Sequence, residues 1–210
     1  MPRLPFRCSG FARFLSLVGV IAALLAGGCS RSGEGAKVSA NITSTTAKRA
    51  VIETDKGEIE VEFFAAESPR AVENFRLLAE RGFYNGLTFH RIVKGFMIQG
   101  GDPLGSGKGG ESAWGGFFDD SIDRTSPLYR RNYLRGVVAM ANMGPNTNGS
   151  QFFIMHQDYP LPPQYVIFGQ VTRGIEVVDI LAETPTQRGP DQQLSQPLTP
   201  PVIKKITIAK

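Results

Sequence analysis

Cysteine is almost missing from this sequence: Cys8 and Cys29 are the only two. Both lie near the start, so the rest of the chain can hold neither a disulfide framework nor a thiol nucleophile nor a thiolate metal centre. Histidine is equally scarce, limited to His90 and His156. Neither adjoins a second metal-type ligand, so no zinc site is legible, and a Ser–His–acid triad has almost no choice of base. Trp114 is the single tryptophan. No apolar run reaches the roughly 20 residues of a membrane-spanning helix; the stretch Phe14 to Ala26 is too short for a comfortable span. A large charge of either sign is also lacking. The formal charge of +4 includes Arg3, Arg7 and Arg13, and removing residues 1–28, which hold no acid, leaves +1. A nearly neutral body gives no support to nucleic-acid binding.

What remains is an ordinary globular composition, 41% hydrophobic and 20% charged, in a length that suits one domain with appendages. Residues 1–28 read as an export signal, with an arginine-bearing start, an apolar stretch and the small residues Ala26, Gly27 and Gly28 before Cys29. Leu25-Ala26-Gly27-Gly28-Cys29 resembles the bacterial lipobox, in which the cysteine is lipidated and becomes the new N-terminus. It departs from that pattern at Ala26, where a branched aliphatic residue is preferred. The resemblance implies a lipid anchor on Cys29, a membrane-attached extracytoplasmic protein, and the loss of both thiols from the mature chain; the alternatives are an ordinary cleaved signal and a soluble exported protein, or an uncleaved anchor. Residues 29–49, poor in large apolar side chains, read as a flexible linker. The folded domain is then 50–210.

Within the domain, Val51 to Thr54 and Glu58 to Phe64 flank Asp55-Lys56-Gly57 and read as a hairpin, the second run alternating charged and apolar. Ser68 and Pro69 supply an N-cap and an N1 proline; Ala71, Val72, Phe75, Leu78 and Ala79 follow at helical spacing, and Gly82 ends the run. Phe89 to Gly100 reads as two short strands about a Lys94-Gly95 turn, and 100–116 as a glycine-rich loop. Gly136 to Ala141, Gln151 to Met155, Tyr165 to Val171 and Val202 to Ala209 are further strands, and Ile175 to Glu183 is a short helix stopped by Pro185. Many short strands with two helices and no βαβ rhythm predict a mainly β fold, an antiparallel barrel or sandwich with capping helices.

Several chemistries can be set aside. Gly101 to Gly109 has the look of a phosphate loop, but its first glycine is one position early for GxxxxGK and Gly109 stands where Ser or Thr should bind magnesium. Gly149-Ser150-Gln151 is not a GxSxG elbow. His90 should face away from Arg91 on its strand, as a satisfied structural histidine. His156 lies in a polar loop and reads as solvated, and Asp119-Asp120 reads as a solvated turn. Arg91 and Gln99 stand out, because they sit among Phe89, Ile92, Val93, Phe96, Met97 and Ile98, and a polar group in apolar company is costly unless paired.

Three segments carry a resemblance. Phe89-His90-Arg91-Ile92, then Gly95-Phe96-Met97-Ile98-Gln99-Gly100-Gly101-Asp102, and then Met140 through Ile154 with Asn142, Asn146, Asn148 and Gln151 closely resemble the signature segments of cyclophilins, the peptidyl-prolyl cis-trans isomerases. Pro69 with Ala71-Val72-Glu73-Asn74-Phe75 and Val166 through Val171 agree, so the likeness spans about 50–210. It implies a closed eight-stranded antiparallel β-barrel capped by two α-helices, with a substrate groove on its outside and no cofactor or metal. It implies that Arg91, Gln99 and Asn142 act on the substrate, and that Phe96, Met97, Ala141, Gln151, Phe153, Leu161 and Tyr165 bind it, with Gly107 at the border. Gln99 would hold the Arg91 guanidinium or bind substrate backbone. The implied partners are proline-containing polypeptides, namely unfolded exported proteins, and the implied state is a monomer; the alternative function is a proline-binding holdase with incidental turnover. The chain departs from well-known eukaryotic members in the loop 157–165. That loop is one residue shorter, Pro160 stands where a tryptophan is usual, and Tyr165 replaces a histidine.

Overall fold

The computed structural model describes residues 47–209. The expectations for the signal, for Cys29 and for most of the linker therefore lie outside the described residues. Ten strands and three helices follow one another: β1 (Arg49–Thr54), β2 (Glu58–Phe63), α1 (Pro69–Glu80), β3 (Phe89–Val93), β4 (Met97–Gly100), α2 (Pro127–Arg130), β5 (Val137–Met140), β6 (Phe152–Met155), β7 (Ile167–Arg173), α3 (Ile175–Ala182), β8 (Thr186–Arg188), β9 (Leu194–Pro197) and β10 (Ile203–Ala209). No helix among them is long and apolar enough to cross a membrane.

Eight strands form one sheet in the order β10-β1-β2-β7-β5-β6-β4-β3, and β8 pairs with β9 alone. Every pairing is antiparallel. The sheet curls until its edge strands approach, but they meet only around the Thr88–Val202 bridge, where Ile203 N–H donates to Leu87 O at 2.8 Å. The expected closed barrel is thus an open, curled sheet. Pro200 and Pro201 precede β10 without N–H groups to extend the ladder, and the opposite edge is interrupted by a register shift between Phe89 and Arg91.

The curl separates two apolar clusters, and strands β5 and β6 are buried on both faces. Alternation sends Val138, Met140, Phe152 and Ile154 into the enclosed core, and Val137, Ala139, Phe153 and Met155 into a second cluster outside the sheet. Helix α1 packs Val72, Phe75 and Leu78 against that enclosed core. Ser68 takes the N-cap position as the sequence suggests, but its hydroxyl donates to Ile167 O at 2.5 Å and leaves the helix N–H groups uncapped by it. Buried Asn74 points off the helix, its Nδ2 donating to Gly149 O and its Oδ1 accepting from Ala113 N–H, both at 2.8 Å, and so ties α1 to the loop after β4 and the loop before β6.

Candidate functional site

The outer cluster is the floor of the site. Because Phe153 lies on the outward face of β6, and Met97 beside it on β4, their side chains line a groove instead of filling the enclosed core. Register places Gln99 opposite Phe153 and Arg91 opposite Gln99, so three neighbouring strands deliver one row of side chains to one surface. The groove has a volume of about 310 Å³ and is lined by Arg91, Phe96, Met97, Gln99, Ala141, Asn142, Phe153, Tyr159, Leu161 and Tyr165. Nine of these ten are residues the sequence singled out; Tyr159 is the addition.

The other two, Gln151 and Gly107, line an adjoining depression with Gln99, Ala141 and Asn142, which also admits Phe117 and Met143. Gln99 Nε2 donates to Gln151 Oε1, and Gln151 Nε2 to Gly109 O, both at 2.8 Å. This chain of amides forms the wall between groove and depression. Of the two roles expected of Gln99, holding the arginine is not seen, since Arg91 makes no hydrogen bond to it among the described residues. Arg91 Nε instead donates to Asp191 Oδ2 at 2.9 Å, and one terminal nitrogen lies 3.7 Å from Met97 Sδ. Burial alone would raise the Asp191 carboxyl, but hydrogen bonds from Ser195, Arg91 and Gln193 outweigh it and hold the group below its ordinary range.

The far wall comes from the loop after β6. Tyr159 N–H donates to Tyr133 O at 3.0 Å, which turns the phenol ring over Phe96 with centroids 4.6 Å apart. The aromatic expected to be missing at Pro160 is therefore supplied one residue earlier. Tyr165 stands edge-on to Phe153, centroids 5.5 Å apart, while its backbone is clamped by Tyr133. Asn142 Nδ2 donates to Gln164 O at 2.8 Å, which joins the two sides of the groove.

The glycine-rich loop is folded about its own acid. Asp102 accepts from the backbone N–H groups of Leu104, Ser106 and Gly107. Desolvation works to raise its pKa, and these bonds, with one from Gly109, lower it below the ordinary value. Gly110, at φ +93°, lies so near Ser150 that a Cβ there would collide with the Ser150 hydroxyl. Ser150 is fully buried and donates to Gly101 O at 2.6 Å, a structural role that leaves no nucleophile.

Both histidines differ from expectation. His156 is buried: its Nδ1 accepts from Gly95 N–H at 2.9 Å and its Nε2 lies 3.2 Å from Asp179, which Arg135 also grips. It therefore anchors the β3–β4 turn. His90 is the extra residue of the irregular register in β3, a feature that simple alternation cannot foresee. It is buried under Gly107, and neither ring nitrogen finds a hydrogen-bond partner of ordinary geometry among the described residues. Burial pushes its pKa down and Arg91 adds to this, while Asp102 and the Thr88 backbone pull the other way. Asp120 is no free turn residue either, since it accepts from Asn148 Nδ2 at 2.7 Å and Asn146 N–H at 3.0 Å. No group of three His, Cys, Asp or Glu side chains able to hold a metal occurs among the described residues.

A groove of this kind has one fixed cation, amide donors and acceptors, and an apolar floor. It can hold a peptide and present a donor to it without forming a bond. Residues 49–208 match the family model described as cyclophilin type peptidyl-prolyl cis-trans isomerase/CLD. The peptidyl-prolyl cis-trans isomerase-like 3 of Gallus gallus is 46% identical over 158 residues, which cover 75% of this chain and 93% of that protein. The Homo sapiens protein of the same name is 45% identical over the same shares. A crystal structure of a Cryptosporidium parvum cyclophilin type peptidyl-prolyl cis-trans isomerase superposes with a TM-score of 0.70 at 40% identity, covering 78% of this chain and 98% of the other. A second crystal structure of that protein, in the presence of the dipeptide Ala-Pro, gives 0.69. These relatives are eukaryotic, so they lend nothing to a bacterial lipoprotein form.

Proposed function

This chain belongs to the cyclophilin-type peptidyl-prolyl cis-trans isomerases, and we propose that Arg91 is the group through which it turns X–Pro bonds. The reaction needs little covalent chemistry. Resonance gives the peptide C–N bond double-bond character and a rotation barrier of ~18–20 kcal/mol, so uncatalysed X–Pro exchange takes roughly tens of seconds or longer. At the twisted transition state the prolyl nitrogen pyramidalises and its lone pair becomes a hydrogen-bond acceptor. A donor aimed there binds the twisted form better than either planar one, which is what lowers a barrier.

Arg91 is the groove's cation, and a guanidinium stays charged and offers several donors in one plane. Phe96, Met97, Phe153 and Leu161 form the socket for the proline ring, with Tyr159 and Tyr165 as its walls. Gln99, Ala141, Asn142 and Gln151 take the substrate backbone, and Gly107 borders its path. An acceleration of ~10⁵-fold corresponds to about 7 kcal/mol, within reach of one charged hydrogen bond together with orientation and desolvation.

The substrates are proline-containing polypeptides, and for this protein we assign unfolded exported chains, met by a monomeric domain of residues 50–210. A signal over 1–28, a linker over 29–49 and a lipid on Cys29 would hold that domain at a membrane surface outside the cytoplasm. The observation that carries the reading of the site is the convergence of Arg91 with the Phe96–Met97–Phe153–Leu161 floor in one groove. It is tested by following isomerisation of an X–Pro peptide with the full chain and with Arg91→Ala. Loss of turnover in a folded variant is expected, and unchanged turnover removes Arg91 from its role.

A further inference from the structure

The groove's arginine does not stand alone. Asp191 reaches it from the turn between β8 and β9, 100 residues along the chain, and both side chains keep about a quarter of their surface (27% and 28%) exposed. That turn is built around the carboxylate. Ser195 Oγ donates to Oδ1 at 2.7 Å and Gln193 N–H donates to it at 3.1 Å, while Gly189 N–H closes the turn onto Gln193 O at 2.8 Å. Any Cβ at Gly189 would stand 2.5 Å from Ser195 Oγ and 3.0 Å from Asp191 Oδ1, so the tip packs tightly against its own acid. One carboxylate oxygen is thus fixed by the hairpin and the other is left for Arg91. Gln99 does not hold the guanidinium: its amide N–H donates to Gln151, and Arg91 donates to Asp191.

We propose that Asp191 is a positioning residue for the isomerisation: by taking the Nε–H of Arg91 it fixes the plane of the guanidinium and leaves the terminal nitrogens to meet the substrate. This rests on the reading of Arg91 as the transition-state donor. An arginine side chain has several rotatable bonds, and a donor that must find its place during the reaction loses most of its effect. Misplacement by about 1 Å can cost about a hundredfold in rate. The hairpin, a separate two-stranded element packed beside β3, supplies the fixed point.

The test uses the full chain in detergent, an X–Pro peptide assay, and five variants: Arg91→Ala, Asp191→Ala, Asp191→Asn, Ser195→Ala, and the double Arg91→Ala/Asp191→Ala. Asp191→Ala should lower kcat/KM by about tenfold or more, mainly in kcat. Asp191→Asn, which keeps a neutral acceptor, should recover part of this, and Ser195→Ala should give a smaller loss in the same direction. The double variant should be no worse than Arg91→Ala alone, because Asp191 acts only through the arginine. The Arg91 Nε–H resonance should shift and exchange faster with water in Asp191→Ala, a change that a purely structural role for the hairpin would not produce. Full activity in Asp191→Ala beside a dead Arg91→Ala overturns the inference and leaves the site reading intact, as do additive losses in the double variant. Full activity in Arg91→Ala overturns both. If Asp191→Ala does not fold, the Asn and Ser195 variants carry the same comparison, and wild-type kcat in both of them overturns the proposal.

Discussion

A guanidinium beside Met97 and Phe153 is tolerated because its stem lies over apolar surface while its head reaches groove solvent and a carboxylate. The ion pair with Asp191 is partly exposed and adds little stability by itself. Removing the arginine should therefore cost function far more than fold. Arg91→Ala is expected to reduce kcat/KM by about a hundredfold or more, near 2.7 kcal/mol of transition-state stabilisation, with a melting temperature close to wild type. Arg91→Lys should recover little, since an ammonium has neither the planar fork nor an Nε–H for Asp191. Peptide isomerisation kinetics and a melting curve on the same samples decide it, and a lysine variant near full activity would reduce the role of Arg91 to charge alone. Phe153 is a poorer probe: buried in β6, its truncation would cost about 3–5 kcal/mol of stability and confuse the two readouts.

At the scale of elements, the strongest sequence signals came through. The period-2 run of β2, the helical spacing of α1 and the Lys94-Gly95 turn stand where the pattern put them. Each is a local signal, in which one buried face dictates the period. What was not legible depends on contacts distant in sequence. Ser68 chose the Ile167 carbonyl over its own helix, and His156 is buried because Gly95 and Asp179 come to it. The β8–β9 hairpin was missed altogether, since Thr186-Gln187-Arg188 and Leu194-Ser195-Gln196-Pro197 show little apolar alternation, and Asp191 went with it. Nine groove residues could be named from motif position: Arg91, Met97, Gln99 and Phe153 lie on strands in register, and Phe96, Ala141, Asn142, Leu161 and Tyr165 lie in the turns and loops between strands, whereas Tyr159 sits in the part of the 157–165 loop whose shortened length hid the correspondence. That loop gives the element-scale prediction. Tyr159 is 44% exposed, so Tyr159→Ala should leave the fold intact while opening the socket over Phe96. Loss of one aromatic wall is expected to raise KM several-fold with kcat little changed, the pattern of uniform binding lost. A fall in kcat at constant KM would instead place Tyr159 in the transition state.

For the whole molecule, activity and stability should respond differently to pH. The groove lining holds no histidine, cysteine or carboxylate, so turnover should be nearly flat between about pH 6 and 8. Stability should not be flat at lower pH. His90 has its folded pKa pushed below 6.5 by burial, so beneath that value the unfolded chain binds the proton more readily than the folded one. More protons on the unfolded state means stability rises with pH, and it is lost as pH drops from about 6.5 toward the folded pKa. His90→Leu should flatten that part of the melting-temperature profile, and an unchanged slope would assign the acid sensitivity to another group. The other property of the whole chain is where it resides. If Cys29 carries the lipid its sequence context implies, the buried acyl chains, at ~0.8 kcal/mol for each CH₂, would make attachment effectively permanent. The curled sheet and its groove then need no membrane-binding surface of their own. Cys29→Ser removes both the acyl acceptor and the processing site, so the variant should lose fatty-acid label and leave the membrane fraction or persist as precursor, with isomerase activity per molecule unchanged. Metabolic labelling with a radioactive fatty acid in a host that processes lipoproteins, followed by fractionation, decides the matter. Wild-type protein that takes up no label and is recovered soluble outside the cytoplasm would make the N-terminus a plain secretory signal. Activity lost on replacing Cys29 would overturn the independence of anchor and groove, since no role in the isomerisation is assigned to that thiol.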